Sequence, residues 1–566
     1  MERQSSAKGF TVLSVAIVIN KLLGILYVPI ATLILGNYGN GIFNAGYTIY
    51  QLVFVVTNAG IPIALSKLIS EQLALNRHDV SYRTLKISAL MLVIAGTFTS
   101  VLTALLAKPL SGLIRTPEAY LTILAISPTM LFTAVSCIFR GYFQGRSNMV
   151  PTSISQILEQ AVHSVLTIVF AWVMYQYGVK YAIASGITGD EAIYREAARF
   201  AAAGATVGTS LGALASALYL YATFQRKKAG ILGELQNTQE SMSGYTNRLI
   251  MEKLLKYAVP ISLGSVAIYT TQLIDVGITK ARLIAGGFSE HEATSLYGIL
   301  STQYLKVLFI PVALATALGT AIIPSISAAN EVNDRNLLGR RIYKSFKTIL
   351  MIAVPAAIGL TVMAGPVIRI LFPKSPDGWD LLMMGSWTLV LISVVSIQTS
   401  ILQGIGKTYI PTIHMVIGLA LKLTVNYNLI AIKSVNIKGA IVGNAVCYIF
   451  AGIMNYRAIK RVTGVKLNIK QLFNRPLSVS IIMGIIVFLV YHGLTLMTGW
   501  LVKSAFLVEL ICGSAAIAAG CFIYYLLMIV AKGITAEDIK SLPKGGVILR
   551  YTAKVPFMDR FLPVDR

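Results

Sequence analysis

Charged residues are scarce in this sequence: Asp, Glu, Lys and Arg together make up only 13% of its 566 residues. A soluble domain of average composition carries about 25%. Hydrophobic residues make up 55% of the chain, and apolar runs of about 20 residues recur from end to end, each long enough to cross a bilayer core. Because helices satisfy their own backbone hydrogen bonds in lipid, the sequence predicts an all-α integral membrane protein with many spans.

Cysteine and histidine are also rare, with four and five copies. Every cysteine lies in an apolar run, which indicates a small packing residue and neither a disulfide nor a metal ligand. The sequence contains no phosphate-binding glycine loop, no cluster of metal-ligating histidines and no nucleophile elbow. We therefore expect no catalysis, no cofactor and no metal.

The apolar runs predict fourteen spans, and an even number places both termini on one side. The predicted spans are residues 9–35, 40–66, 84–107, 117–141, 150–177, 196–225, 252–280, 293–327, 343–367, 380–404, 409–432, 438–459, 476–499 and 503–531. Most of the 48 lysine and arginine residues lie at the N-terminus, in loops that follow even-numbered spans and in the tail. This distribution predicts that these parts, including both termini, are cytoplasmic. It accounts for the net charge of +25 without nucleic acid, and basic loops such as Arg226-Lys227-Lys228 would meet anionic lipid.

An internal repeat divides the chain. The stretches "FQGRSNMVPT" (143–152) and "LQGIGKTYIPT" (402–412) share Gln-Gly, a polar turn and Pro-Thr, and their Gln-Gly pairs lie 259 residues apart. The same offset pairs Tyr38-Gly39 with Tyr297-Gly298, Gly60 with Gly319, and Ser66 with Ser325. Spans 1–6 therefore repeat as spans 7–12, and since six is even, the copies are parallel and face a central cavity.

The repeat predicts two lobes of six helices each. The predicted segments are an N-lobe (1–226), a cytoplasmic linker (227–251), a C-lobe (252–466), spans 13 and 14 (467–532) and a cytoplasmic tail (533–566). The two quoted turns are interpreted as helix connections, in which Gly145 ends one helix in the left-handed conformation and Pro151 opens the next. A gating hinge is the alternative. Gly60, Pro62 and Gly319 are assigned a structural or gating role.

Two lysines lie deep within predicted spans, where a charge costs about 2.5–3.5 kcal/mol. Lys21 is roughly 18 Å into span 1 at 1.5 Å per residue, and Lys306 lies in the middle of span 8. Both are expected to face the central cavity, where two ammonium groups would bind a diphosphate or an acidic sugar. The alternative is structural pairing with buried carbonyl or carboxylate groups.

Further polar residues in the spans complete the candidate site. The candidate substrate-binding residues besides the two lysines are Asp275, Tyr269 and Tyr304. Tyrosine is also common at membrane interfaces, which is the alternative for the two aromatic residues. Two pairs share a helix face at i,i+4 spacing: Lys422 with Asn426 as a polar pair in the cavity, and Glu159 with His163 as a structural pair.

Several stretches resemble the MurJ-type lipid II flippases of the MOP exporter superfamily. In "YLKVLFIPVALATALGTAIIPSIS" (304–327), Lys306 precedes Pro311 by five positions, and Leu-Gly-Thr and Pro-Ser follow, as in the eighth helix of that family. The stretch "NKLLG" (20–24) is similar to the family's Ser-Arg-x-x-Gly, with Lys21 in place of arginine. Similarity to the branch of stage V sporulation protein B is carried by "LIDVGITKARL" (273–283), "ILEQAVHSV" (157–165) and "LKLTVNYNLI" (421–430).

This resemblance implies a MurJ-like fold with a cationic cavity, in which spans 13 and 14 form a groove for a polyprenyl tail. It implies that Lys21 and Lys306 replace arginines that serve the substrate diphosphate, which keeps the charge but loses bidentate geometry. Some family members hold sodium between an aspartate on span 7 and a polar pair on span 11. Here Lys422 takes one position of that pair, where its ammonium would pair with Asp275, so we expect no sodium site.

The leading hypothesis is a monomeric flippase of the bacterial cell membrane. Its substrate would be a lipid-linked oligosaccharide on undecaprenyl diphosphate, most specifically lipid II, moved from the inner to the outer leaflet by alternating access. A flippase for another lipid-linked polysaccharide precursor is the first alternative. A multidrug cation antiporter would need a carboxylate deep in span 1, where Lys21 stands. A scaffold without transport would leave the buried lysines unexplained.

Overall fold

The computed structural model of the chain describes residues 6–58, 60–236, 246–332, 334–498 and 504–533. All regular secondary structure in these ranges is helical. The α-helices of the first half are α1 (Ser6–Asn58), α2 (Ile61–Ala74), α3 (His78–Leu105), α4 (Ala107–Leu113), α5 (Tyr120–Ile126), α6 (Thr129–Gly145), α7 (Val150–Ala184), α8 (Asp190–Gln236), α9 (Asn247–Ala285) and α10 (Glu290–Gly298). Those of the second half are α11 (Lys306–Glu331), α12 (Arg335–Val362), α13 (Ala364–Leu371), α14 (Trp379–Gly385), α15 (Thr388–Gly404), α16 (Tyr409–Leu429), α17 (Gly439–Thr463), α18 (Ile469–Thr498) and α19 (Ala505–Val530).

The helices are long and apolar, as a multi-pass membrane protein requires. Within the described ranges, ten helical segments are long and apolar enough to cross a membrane, or up to eleven if α14 and α15, bent by 51°, form one span. The prediction of an all-α membrane protein is therefore confirmed, whereas the count of fourteen spans stays a prediction.

Helix α1, with 53 residues, covers the first predicted span and most of the second, and it breaks at one glycine. Gly36 has φ 61° and ψ −174°, a conformation that only glycine adopts readily. A Cβ at this position would also overlap the hydroxyl of Tyr194. That hydroxyl donates a hydrogen bond to the carbonyl oxygen of Leu35 at 3.2 Å, which satisfies an acceptor that the break leaves open.

The chain divides into two compact units. Unit 1 comprises Met1–Thr302 with Asn426–Gly439, and unit 2 comprises Gln303–Val425 with Ala440–Arg566. Helices α9 and α10 belong to unit 1, since α9 packs on α1, α2 and α3, and α10 packs on α1. The first boundary between the units lies at residues 302–303, and the predicted lobes, separated by the linker 227–251, stay a prediction.

Small residues allow close helix packing inside unit 1. Helices α7 and α8 form its most extensive pair, and Gly204, Gly208 and Gly212 of α8 lie one turn apart on the face that meets α7. A Cβ on Gly208 would overlap the backbone of Thr167, and one on Gly212 would lie 2.8 Å from the Glu159 carbonyl oxygen. Van der Waals packing of this kind holds helices together in lipid, where the hydrophobic effect does not act between them.

The repeat appears as the same close contact within each unit. A Cβ on Gly145 of α6 would lie 2.8 Å from the Ser66 carbonyl oxygen of α2, and one on Gly404 of α15 would lie 3.2 Å from the Ile323 carbonyl oxygen of α11. Glycine therefore marks a helix crossing in both copies.

The left-handed residue of the first turn is not Gly145, as the sequence suggested. It is Ser147, with φ 56°, and Gly406, with φ 78°, takes the equivalent place in the second turn. Gly145 remains helical because it closes the contact with α2, and the chain turns two residues later. Pro151 opens α7 near its first residue, as predicted.

Candidate functional site

The two predicted anion-binding lysines lie on different helices of different units. Lys21 is in α1, but its side chain lies outside the described part of the molecule. Lys306 is the first residue of α11, and its side chain is half-buried. It directly follows a π-helical segment, Ile299–Leu305, which joins α10 to α11. Such segments are rare in proteins, and those that occur are often found at functional sites. The sequence did not predict this one.

Asp275 of α9 contacts one member of the predicted polar pair. Asn426 Nδ2 donates a hydrogen bond to Asp275 Oδ1 at 2.6 Å. Asn426 is fully buried, and among the described residues its Oδ1 has no hydrogen-bond partner. Lys422, one turn earlier on α16, is half-buried. Asp275 and Asn426 thus come together, whereas the expected pairing of Lys422 with Asp275 and the expected absence of sodium binding stay predictions.

The two candidate tyrosines differ in position. Tyr269 is half-buried on α9. Tyr304 has no exposed surface; its hydroxyl lies 3.0 Å from Thr388 Oγ1 and 3.3 Å from the Gly385 carbonyl oxygen. These contacts hold the bend between α14 and α15. Tyr304 therefore has no surface open to a ligand in this structure, and its contact with a substrate stays a prediction.

The pair on α7 takes part in two separate contacts. Arg140 of α6 donates to Glu159 at 2.6 Å and also reaches Ser216 of α8 at 2.9 Å, so this cluster joins three helices. His163 lies 3.2 Å from Thr167, and its ring packs edge-on against Tyr27 of α1 with centroids 5.0 Å apart.

Of the glycines assigned a structural or gating role, Gly60 precedes α2 as its N-cap.

A further glycine of that group, Gly319, lies on α11 beside α15. A Cβ on Gly319 would lie 2.6 Å from Ser400 Oγ. Pro62 opens α2 and is half-buried. These positions fit close packing, and a gating role for them stays a prediction.

The closest backbone approach between α1 and α10 was missed in the sequence. A Cβ on Gly41 would overlap the Thr294 carbonyl oxygen, and one on Gly298 would overlap the Asn37 carbonyl oxygen. We call this contact the α1–α10 crossing. The repeated Tyr-Gly pairs, 38–39 and 297–298, were a signal for it, since both pairs lie at this crossing.

Polar side chains fasten this crossing on one side. Asn44 Nδ2 lies 3.0 Å from Ser301 Oγ and 2.8 Å from Thr302 Oγ1, and donates to both. The rings of Tyr38 and His291 lie next to it, with centroids 4.4 Å apart. The crossing is therefore a close backbone contact at glycines, with side-chain hydrogen bonds beside it.

A buried lysine in the last turns of α9 was also not predicted from the sequence. Lys280 is only 1% exposed, and its Nζ donates to Thr116 Oγ1 at 2.6 Å. Glu118 supplies an opposite charge nearby and hydrogen-bonds Tyr38. The sequence placed Lys280 at the end of a span, where a lysine side chain ordinarily reaches the interface, so no signal separated it from the loop lysines.

Comparison with known proteins identifies a matching family and several relatives of this chain. The profile of the family described as "Polysaccharide biosynthesis protein" matches residues 6–330. The chain is 28% identical over 499 residues, 85% of this chain and 87% of the relative, to "Lipid II flippase MurJ" of Bacillus subtilis (strain 168). It is 25% identical over 558 residues, 97% of this chain and 100% of the relative, to "Stage V sporulation protein B" of the same organism.

Solved structures show the same fold at low identity. A lipid II flippase MurJ in an inward closed conformation superimposes with a TM-score of 0.63 at 14% identity, covering 92% of this chain and 98% of that one. An inward-facing multidrug resistance MATE family transporter of the MOP superfamily gives 0.59 at 15% identity, covering 79% and 96%. The predicted resemblance is confirmed, and the named functions among these proteins are those of flippases and transporters, not of enzymes.

Proposed function

We propose that this chain, which belongs to the polysaccharide biosynthesis protein family, is a flippase that moves a polyprenyl-diphosphate-linked cell-wall precursor from the inner to the outer leaflet. Lipid II is the substrate that we favour. The observation that carries the proposal is the similarity to a lipid II flippase over 85% of the chain. The family match, residues 6–330, includes both Lys21 and Lys306.

The substrate chemistry follows from its parts. A diphosphate carries two negative charges that need cations in a low-dielectric site, and Lys21 and Lys306 are the lysines that we assign to it. The polyprenyl tail needs an apolar surface. Helices α18 and α19 offer one, since Ile485, Leu489 and Phe522 are each about half exposed.

Alternating access requires a contact that closes one side and can open. The α1–α10 crossing supports this role. It consists of a close backbone contact at glycines and two hydrogen bonds from Asn44 to hydroxyl groups. These contacts can break without leaving a buried charge unpaired. In the predicted topology it lies at the outer ends of spans 2 and 8. We propose that it is the outer gate.

Complementation of a flippase-depleted strain tests the substrate site. We expect Lys21→Ala and Lys306→Ala each to abolish growth while the protein still inserts, and Lys21→Arg and Lys306→Arg to support it, since arginine keeps the charge. Saturable binding of lipid II by purified protein should fall in both alanine variants. Full activity in both alanine variants would contradict the proposed diphosphate site.

Cross-linking tests the gate. In a background without native cysteines, Asn44→Cys combined with Ser301→Cys should form a disulfide that stops transport, and a reductant should restore it. The matched control is Lys67→Cys with Glu71→Cys, an i,i+4 pair within α2 whose cross-link spans no crossing. Transport that continues in the oxidised gate variant would contradict the gate.

A second substrate remains open because stage V sporulation protein B matches 97% of the chain. Competition distinguishes the two: lipid II should displace bound lipid II far better than undecaprenyl phosphate or an unrelated lipid-linked sugar does. Stronger displacement by the other lipid-linked sugar would favour a flippase for another polysaccharide precursor. Displacement by organic cations alone would favour the antiporter hypothesis.

A further inference from the structure

A cavity of about 780 Å³ lies in unit 1 between the start of α7 and the last turns of α8. Its lining includes Asn148 from the turn before α7, Pro151 from the first turn of α7, and Thr223, Arg226, Lys227 and Glu234 from α8. The remaining wall is partly apolar, with Val150 and Ile231. The cavity lies at the first of the two repeated turns, and its two basic residues belong to the run that the sequence predicts to meet anionic lipid; the sequence did not predict a cavity here.

The charge of this cavity is mainly positive. Within the described residues, neither Arg226 nor Lys227 forms an ion pair with an acidic side chain. The acidic lining residue, Glu234, is already engaged by an ion pair with Arg146 and lies 3.5 Å from His78 Nδ1. Arg226 and Lys227 of α8 therefore line the cavity without an acidic partner among the described residues. The carboxylate of Glu234 is neutralised by Arg146, which does not line the cavity.

Helix α7 adds to this field. It is 35 residues long, and its first residues, Val150 and Pro151, line the cavity, so the positive end of its dipole points there. Asn148 Oδ1 accepts a hydrogen bond from the Val150 backbone N–H at 3.3 Å, which fixes the start of the helix. Thr223 and Tyr219 add hydroxyl groups to the wall.

We propose that this cavity binds the phosphate of an anionic ligand. Arg226 and Lys227 contact the phosphate oxygens, and the side-chain amide of Asn148 donates a neutral hydrogen bond. The volume exceeds that of a phosphate ion and leaves room for an attached group against Ile231. The phosphate belongs either to an anionic lipid headgroup or to a soluble molecule, since the predicted topology places the cavity at the cytoplasmic surface.

Binding to the purified full-length protein tests the site without transport, so its outcome is separate from that of the flippase proposal. The protein is placed in phosphatidylcholine nanodiscs, with and without phosphatidylglycerol, and retained lipid is counted by native mass spectrometry. Inorganic phosphate is titrated in parallel by calorimetry. A charge-assisted hydrogen bond contributes about 1.5–3 kcal/mol, so Arg226→Gln and Lys227→Gln should each weaken binding by about tenfold or more.

The matched control is Lys228→Gln combined with Arg248→Gln, which removes the same charge from residues that do not line the cavity. Loss of phosphatidylglycerol only in Arg226→Gln with Lys227→Gln supports a lipid headgroup site. Loss of inorganic phosphate binding only in that variant supports a soluble ligand. Equal binding in the two double variants, or no binding of either probe by the unaltered protein, overturns the proposal.

Discussion

Serine and glycine at equivalent positions of the repeat carry the left-handed backbone in two helix connections. Ser147 has φ 56° and Gly406 has φ 78°. A Cβ on Gly406 would meet nothing within 4 Å, so the effect of a substitution there is limited to the backbone. For a residue with a Cβ, the left-handed conformation costs about 1–2 kcal/mol.

This pair gives opposite expectations for stability. Gly406→Ala should lower the free energy of unfolding by about 1 kcal/mol, and Ser147→Gly should raise it by about 0.5 kcal/mol or leave it unchanged, because relief of strain is offset by a more flexible unfolded chain. Thermal unfolding in detergent measures both. Gly112→Ala is the control, since it has the same open surroundings and no left-handed backbone; an equal loss in the control would contradict the backbone explanation.

Glycine also controls how closely α1 and α10 approach. Gly41→Ala should force the two helices apart, because its Cβ would overlap the Thr294 carbonyl oxygen and the backbone cannot move aside freely. The yield of the cross-link between Asn44→Cys and Ser301→Cys should therefore drop severalfold when Gly41→Ala is added. An unchanged yield would show that the crossing has space that the structure does not indicate.

At the scale of elements, one polar cluster fastens α18 and α19 to the rest of unit 2. Arg369 of α13 donates to Glu509 of α19 at 2.6 Å, and Tyr491 of α18 donates to the same carboxylate at 2.7 Å. The apolar cluster that includes Met483, Val487 and Cys512 lies beneath it. Since α18 and α19 have no counterpart in the repeat, this contact is specific to the added pair.

A double-mutant cycle measures the contribution of this cluster. Arg369→Gln and Glu509→Gln should each destabilise the protein, with a coupling energy of about 1 kcal/mol, because Glu509 is only 18% exposed. The control cycle uses Arg195 and Glu191, an i,i+4 pair within α8 that is 45% and 70% exposed. Its coupling should be about 0.3 kcal/mol. Equal coupling in the two cycles would mean that the cluster does not fasten α19.

At the scale of the whole molecule, the distribution of basic residues predicts one orientation in the membrane. With Cys521 replaced by serine, Ser185→Cys lies in a predicted outer loop and Lys407→Cys in a predicted cytoplasmic loop, and both positions are exposed. A membrane-impermeant maleimide should label the first in intact cells and the second only after lysis. The reverse pattern would invert the topology and place the α1–α10 crossing at the cytoplasmic side.

The sequence by itself determined the class of the protein, because scarce charge and long apolar runs are compatible only with helices in lipid. It also determined the repeat, since Gln144-Gly145 and Gln403-Gly404 recur at the same offset as the other matched residues, and the family, since the signature around Lys306 is local in the chain. These features depend on composition, periodicity and neighbouring residues.

Only the tertiary structure decided which side chains meet. The burial of Tyr304 depends on the bend between α14 and α15, and the burial of Lys280 depends on Thr116, 164 residues away. The π-helical segment before Lys306 shifts the register of that helix, and no hydrophobic period records it. Such contacts join residues far apart in the chain, so their energies are decided by packing and not by local sequence pattern.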